Sequence, residues 1–215
     1  MRGVRAIAFD FNGTLSRDEP ILYAVYRDMF AEHGRPLSES DYFGTLAGHS
    51  EDVIISRWLG ADGARLAALV EERIDRYLAL AGGGETVSPA VREAVTYAAD
   101  RVPVAVVSGA FRREIEPVLA GAGIDDRISV LVAADDVDRG KPDPEGYLCA
   151  VSRLAEDLHP DEVVAFEDTE AGVASAKAAG LYCVAVLGTH SPERLQAADE
   201  LVKGVEIGVV QRLLG

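Results

Sequence analysis

Apolar residues near the start and in the second half of the chain gather in short continuous runs: VRAIAF at 4–9, VPVAVV at 102–107, SVLVA at 129–133, VVAF at 163–166 and YCVAVL at 182–187. Runs of this length without alternation suit strands buried on both faces. Helix-length segments near 111–122, 144–157 and 170–179 separate the later runs. That rhythm predicts an α/β fold, a doubly wound parallel sheet with helices on both faces.

Residues 19–81 break the rhythm. Their apolar positions recur at helical spacing (Leu22, Val25, Tyr26, Met29, Phe30; then Leu66, Leu69, Val70, Ile74, Tyr77, Leu78), and no convincing strand lies among them. The division expected is a core of residues 1–16 and 85–215 interrupted by a helical cap at 17–84. His33-Gly34 is placed to end the first cap helix, Ser50 to cap another, and GGG at 82–84 to form a flexible junction. Ser88-Pro89 has the form of a helix cap and first turn at the return to the core.

Composition narrows the class. The 215 residues are 48% hydrophobic, enough for a substantial interior. Their apolar runs fall far short of the roughly 20 residues of a membrane span, and no signal-peptide pattern opens the chain, so a cytoplasmic protein is expected. Cys149 and Cys183 stand in apolar segments without metal-site spacing, which predicts buried reduced thiols and no disulfide. A formal charge of −15 argues against nucleic acid and anionic membranes as partners. The oligomeric state is not legible. Lysine occurs only at 141, 177 and 203, so each lysine is conspicuous.

Open parallel sheets bind ligands beyond the carboxyl ends of their strands. The residues ending the runs are strongly polar: Asp10, Asn12 and Thr14 after the first; Ser108-Gly109 after the second; Asp135, Asp136 and the GKPDP stretch with Lys141 after the third; Glu167-Asp168 after the fourth. Carboxylates converging there repel unless a hard cation sits among them, and oxygen donors without His or Cys suit Mg2+. The ion would also give a phosphate the positive partner that so acidic a chain otherwise lacks, with Lys141, Thr14, Ser108 and loop amides gripping the other oxygens. Phosphoryl transfer to Asp10 is the expected chemistry, on a small phosphorylated metabolite.

DFNGTL, SGA, GKPDPEGY and FEDTEAGVASAKAAG together resemble the four ordered motifs of the haloacid dehalogenase superfamily, most closely its phosphatases and phosphoglucomutase-like members with a helical cap. The resemblance spans about the whole chain. It implies Asp10 as nucleophile, Lys141 as the cation steadying nucleophile and phosphate, and Ser108 with Gly109 at the phosphate. It implies Asp168 as a metal ligand and Glu167 beside it as a weaker or water-bridged one. His49, in the stretch AGHSE, resembles a substrate-facing cap loop.

Asn12 departs from the pattern. The family's residue there lends its main-chain carbonyl to the metal and its carboxylic acid to the leaving group. Asn12 keeps the first role and lacks the second, so hydrolysis of alkyl phosphates is expected to be slow, while acyl and aryl phosphates leave without a proton. Other readings are an exchange made to trap a complex, deamidation at Asn12-Gly13, or a homologue that binds a phosphorylated ligand without turnover. A sugar-phosphate mutase ranks lower, because the shuttling acid is missing and Glu51 stands where resembling members have arginine. Dehalogenation ranks lower still because the acidic pair is retained, and phosphonatase chemistry is excluded because residues 19–81 contain no lysine.

Overall fold

The computed structural model describes residues 3–47 and 49–215. Among them the elements run β1 (Ala6–Phe9), α1 (Glu19–Glu32), one-turn α2 (Glu39–Asp41), α3 (Glu51–Leu59), α4 (Gly63–Ala81), α5 (Pro89–Ala99) and β2 (Val104–Val107). There follow α6 (Arg112–Ala122), β3 (Val130–Val132), α7 (Glu145–Leu154), β4 (Val163–Glu167), α8 (Glu170–Ala178), β5 (Tyr182–Val186), β6 (Glu200–Val202) and α9 (Ile207–Leu214). A wide helical turn, Tyr42–Leu46, continues α2. None of the described helices is long and apolar enough to cross a membrane.

The strands form one parallel sheet in the order β3-β2-β1-β4-β5-β6, so the winding direction reverses at β1. The expected doubly wound α/β fold is therefore present, with one addition. The three-residue edge strand β6 escaped the pattern because ELV is too short and too polar to stand out as an apolar run.

Side-chain alternation gives the sheet a bulky face and a small one. Ile7, Phe9, Val104, Val106, Val164, Phe166 and Val184 point into the larger core beneath α5 and α6. Phe9 and Phe166 stack there at 5.0 Å on adjacent strands. Ala6, Ala8, Ala105, Val163, Ala165 and Cys183 point the other way, where their small size lets α7 and α8 approach the sheet. Cys183 is buried, its thiol pushed up to about 12 chiefly by desolvation. Cys149, expected to be buried as well, is only half-buried, because it lies at the margin of α7's packed stripe.

Helix ends follow local chemistry. Ser88 accepts a hydrogen bond from Val91 N–H, with Pro89 in the first turn of α5, and α1 ends at His33. Ser50 occupies the cap position of α3 without a side-chain cap bond. The glycines at 82–84 are not a loose junction. Gly84 has φ +79°, and a Cβ there would lie 2.2 Å from the Ala122 nitrogen, while one on Gly121 would meet the Gly83 backbone at 2.5 Å. The absence of side chains lets the end of α4 dock directly on α6.

A buried ion network fastens the same two helices. Arg73 of α4 is 2% exposed and pairs with Glu114 of α6 and, at 3.4 Å, with Glu51 of α3. The Tyr26 and Tyr77 rings flank its guanidinium at 5.4 and 5.3 Å. Position 73 falls four residues after Leu69 and four before Tyr77, on the apolar stripe, so the helical period alone carries this arginine into the interior. Removing one partner from such a network strands a buried charge. Glu114→Ala is expected to destabilise the protein by about 3–5 kcal/mol, read as a lower urea midpoint. An unchanged midpoint would show that the pair is dispensable.

Candidate active site

The carboxyl ends of β1, β2 and β4 open together at the point where the winding reverses, and Asp10, Ser108 and Glu167-Asp168 stand there. Adjacency of β1 and β4 is what unites the acids: one oxygen each from Asp10, Glu167 and Asp168 lies within 4.8 Å of the others, and all three residues are buried. Lys141 answers them from the loop before α7. Its Nζ lies 2.6 Å from Asp10 Oδ1 and 2.5 Å from Glu167 Oε1, and it donates to the Val107 carbonyl at 2.9 Å. Burial alone would lower the lysine's pKa, but the two carboxylates hold it above its ordinary value.

Asp168 and Glu167 differ in ways that their sequence adjacency hides. Asp168 is pushed well up by desolvation and by the charges of Asp10 and Glu167, and its Oδ2 is buried with no hydrogen-bond partner. Gly13, at φ +76°, brings the loop after β1 so close that a Cβ would lie 1.9 Å from that oxygen. Glu167, raised to about 7 mainly by burial, turns Oε1 to Lys141 and to the Tyr147 hydroxyl, which donates at 2.7 Å. Its Oε2 is likewise buried without a hydrogen-bond partner and packs against α8, where a Cβ on Gly172 would come within 1.8 Å.

This donor set fits a magnesium ion. It consists of oxygen atoms, includes two orphaned buried carboxylate oxygens, Asp168 Oδ2 and Glu167 Oε2, and carries more negative charge than Lys141 can match. Asp10, Glu167 and Asp168 are the side chains that could hold such an ion.

The remaining expected residues fall in different places. Ser108 and Gly109 line the cavity beside Asp10. Ser108 Oγ accepts from Ala110 N–H at 3.1 Å, which leaves its hydroxyl hydrogen available to a ligand. Thr14, expected at a phosphate, is buried behind the site with Oγ1 3.4 Å from Asp168 Oδ1, and does not reach the cavity wall. Asp135 and Asp136 serve structure: both accept from Arg112, Asp135 through the main-chain N–H and Asp136 through the guanidinium, and so tie the loop after β3 to α6. His49, just before α3, lines the cavity 3.0 Å from Arg57 Nη1, and its pKa is lowered first by burial and then by that arginine. Gly48, in the same stretch, lies outside the described residues.

Asn12 also lines the cavity, but its amide is engaged elsewhere. Nδ2 donates to Asp18 Oδ2 at 2.9 Å, and the Tyr77 hydroxyl donates to the same oxygen at 2.5 Å. Asp18 is fully buried, its Oδ1 is unpartnered, and desolvation raises its pKa. The cavity, about 510 Å³, continues to Glu19, Tyr26, Tyr42, Glu51 and Arg73. Sequence reading assigned no site role to Glu19, Tyr26, Tyr42 or Arg73. Tyr26 and Arg73 sit within helical periods that read as core, while Tyr42 and Glu19 lie outside both apolar stripes.

Comparison with known proteins bears on this arrangement. Haloacid dehalogenase-like hydrolases match the chain over residues 4–180. The validoxylamine A 7′-phosphate phosphatase of Streptomyces hygroscopicus subsp. limoneus is 34% identical over 210 residues, 91% of each chain. A phosphoglycolate phosphatase of Yersinia pestis is 29% identical over 189 residues, 85% of this chain and 81% of that one. Among solved structures, a variant of CbbY from Rhodobacter sphaeroides in complex with xylulose-(1,5)bisphosphate has a TM-score of 0.83 at 26% identity, covering 94% of this chain and 95% of that one. The chain thus belongs to the haloacid dehalogenase-like hydrolases, as an enzyme of the phosphatase type in the branch that holds the helical-capped phosphatases and β-phosphoglucomutase-like proteins.

Proposed function

We propose that this chain hydrolyses phosphate monoesters of small metabolites in the cytoplasm through a phosphorylated Asp10, with magnesium held by Asp10, Asp168 and the main-chain carbonyl of Asn12. The observation that carries the reading is the meeting of Asp10, Glu167 and Asp168 at the sheet's switch point, with the Lys141 ammonium group paired to the first two. The bound ion would supply a Lewis acid at the phosphoryl oxygens and neutralise the charge that gathers there.

The protein's own groups divide the remaining work. Lys141 holds Asp10 in place and offers positive charge to the phosphoryl oxygens, while the Ser108 hydroxyl and loop amides take the others. Glu167, its Oε1 locked between Lys141 and Tyr147, positions the lysine. An Asp10 oxygen forms the new bond to phosphorus as the ester P–O bond breaks, and the leaving oxygen departs with the electron pair. Residues 17–84 act as a cap over the core of residues 1–16 and 85–215, excluding water and selecting the substrate.

Asn12 decides which esters react. It has no acidic proton to give, so leaving groups that depart as stable anions are favoured over alkoxides. Asp18 bears on how the acid is restored. Aspartate at position 12 alone would meet the Asp18 carboxylate at hydrogen-bond distance, and two acids so placed share one proton. Exchanging both residues, Asn12→Asp with Asp18→Asn, keeps one amide and one acid in contact.

Magnesium-dependent phosphate release from alkyl, aryl and acyl phosphates tests this account. The unaltered protein should favour aryl and acyl substrates and lose activity with a chelator, and the double exchange should raise alkyl-phosphate turnover by about 10²-fold or more. Asp10→Asn should abolish release from every substrate. Water then attacks the phosphorus, the Asp10 O–P bond breaks and phosphate leaves; because that step is common to all substrates, the test is read on the first turnover, where equal alkyl and aryl rates of leaving-group release would show that another group carries the proton.

A further inference from the structure

Asp18 stands at the start of α1, where an aspartate ordinarily caps the helix by accepting from a first-turn N–H. Its side chain makes no cap bond and is fully buried. Oδ2 instead accepts from the Tyr77 hydroxyl of α4 at 2.5 Å and from Asn12 Nδ2 at 2.9 Å. The proposed reaction gives this carboxylate no task of its own.

The contact decides which way the Asn12 amide faces. An oxygen that already takes the Tyr77 hydrogen can only accept, so the amide must turn its nitrogen to Asp18. The backbone around Asn12 is held independently: Gly13 N–H donates to the Ser16 carbonyl at 2.7 Å, and the Leu15 and Ser16 N–H groups donate to the Phe11 carbonyl at 2.9 Å. Side-chain rotation is the freedom left to Asn12, and the bond to Asp18 takes it away. Asn12 is half-buried and lines the cavity, so with Nδ2 committed its Oδ1 is the polar end left for whatever enters. Unlike Asp18 Oδ1, that oxygen is not shut in.

We infer that Asp18 is a positioning residue for the second half of the reaction: it holds the Asn12 amide with its oxygen toward the cavity, to accept a hydrogen bond from the water that attacks phosphorylated Asp10. The inference deepens the phosphatase reading and rests on it. In that step the water oxygen bonds to phosphorus, the Asp10 O–P bond breaks with its electron pair left on the carboxylate, and both water hydrogens leave on the phosphate. An amide oxygen orients a water without taking its proton, the task that a glutamine performs in some nucleotide hydrolases. In the first half the departing oxygen needs a donor, and an acceptor gives it nothing. Asp18 therefore governs the decay of the phosphoenzyme rather than its formation.

Rapid acid quench with acetyl phosphate and magnesium, followed by mass spectrometry of the Asp10 peptide, gives both rates in the unaltered protein, Asp18→Ala, Asn12→Ala and the double variant. Asp18→Ala should slow decay by about tenfold or more while formation changes little, because a misplaced reacting group costs on the order of 10²-fold. Asn12→Ala should slow decay as much and the double variant no further, since a residue that acts through another adds nothing once the other is gone. Asp18→Asn, which keeps a carbonyl oxygen facing Asn12, should bring decay back toward the unaltered rate. Equal slowing of formation and decay, or additive losses in the double variant, would give Asp18 a merely structural role and overturn the inference. If the alanine variant fails to fold, a crystal structure of the unaltered protein with magnesium and beryllium trifluoride on Asp10, a phosphoryl mimic, decides. Asn12 Oδ1 within hydrogen-bond reach of an ordered water supports the inference, and Nδ2 turned to the cavity overturns it. A phosphoryl group that decays at one rate in all four proteins defeats the inference alone. No phosphoryl group on Asp10 in any of them defeats the phosphatase reading and the inference with it.

Discussion

Three buried carboxylates gathered beside one ammonium group, which touches only two of them, are the constraint around which this molecule is arranged. Bringing Asp10, Glu167 and Asp168 together in a low-dielectric site is unfavourable unless each charge is answered. The fold answers in parts: Lys141 reaches over to Asp10 and Glu167, Tyr147 donates to Glu167, and Thr14 stands behind Asp168. Gly13 and Gly172 are the places where the backbone must come close enough to form these walls. What remains is one orphaned oxygen on each of Asp168 and Glu167 and an excess of negative charge, a set that fits a divalent cation.

The helical insertion is joined to this centre by a different device. Arg73 reaches from α4 to Glu114 on α6, and glycines on both sides let the same helices meet backbone to backbone. The guanidinium that fastens the insertion to the core also lines the far end of the cavity. One buried residue therefore couples how the insertion sits to what the cavity offers a ligand. A change at that position would be felt in packing and in recognition together.

Much of this was legible in the sequence because strand ends are where an open parallel sheet exposes its polar residues. Asp10, Ser108, Lys141 and Asp168 could be singled out by standing at or after apolar runs, and Lys141 by scarcity. What was not legible came from contacts far apart in the chain. Nothing local to Glu167 says that Lys141 and Tyr147 occupy it, and nothing local to Asn12 says that its amide is given to Asp18. Arg73 shows a missed opportunity: its position on an apolar helical stripe was readable, but its partner Glu114 lies 41 residues away. Thr14 shows the opposite case, since a residue in the right loop faces the wall behind the site. The glycines at 82–84 read as flexible because sequence cannot show what packs against a missing side chain.

The central claim is that Asp10 becomes phosphorylated although residue 12 cannot carry the proton. The most direct measurement is mass spectrometry of the peptide containing Asp10, quenched in acid after brief incubation with acetyl phosphate and magnesium. The account predicts one added phosphoryl group on that peptide, dependent on the metal and absent from Asp10→Asn. Phosphate release at an undiminished rate from Asp10→Asn, or a phosphoryl group found on another residue instead, would contradict it.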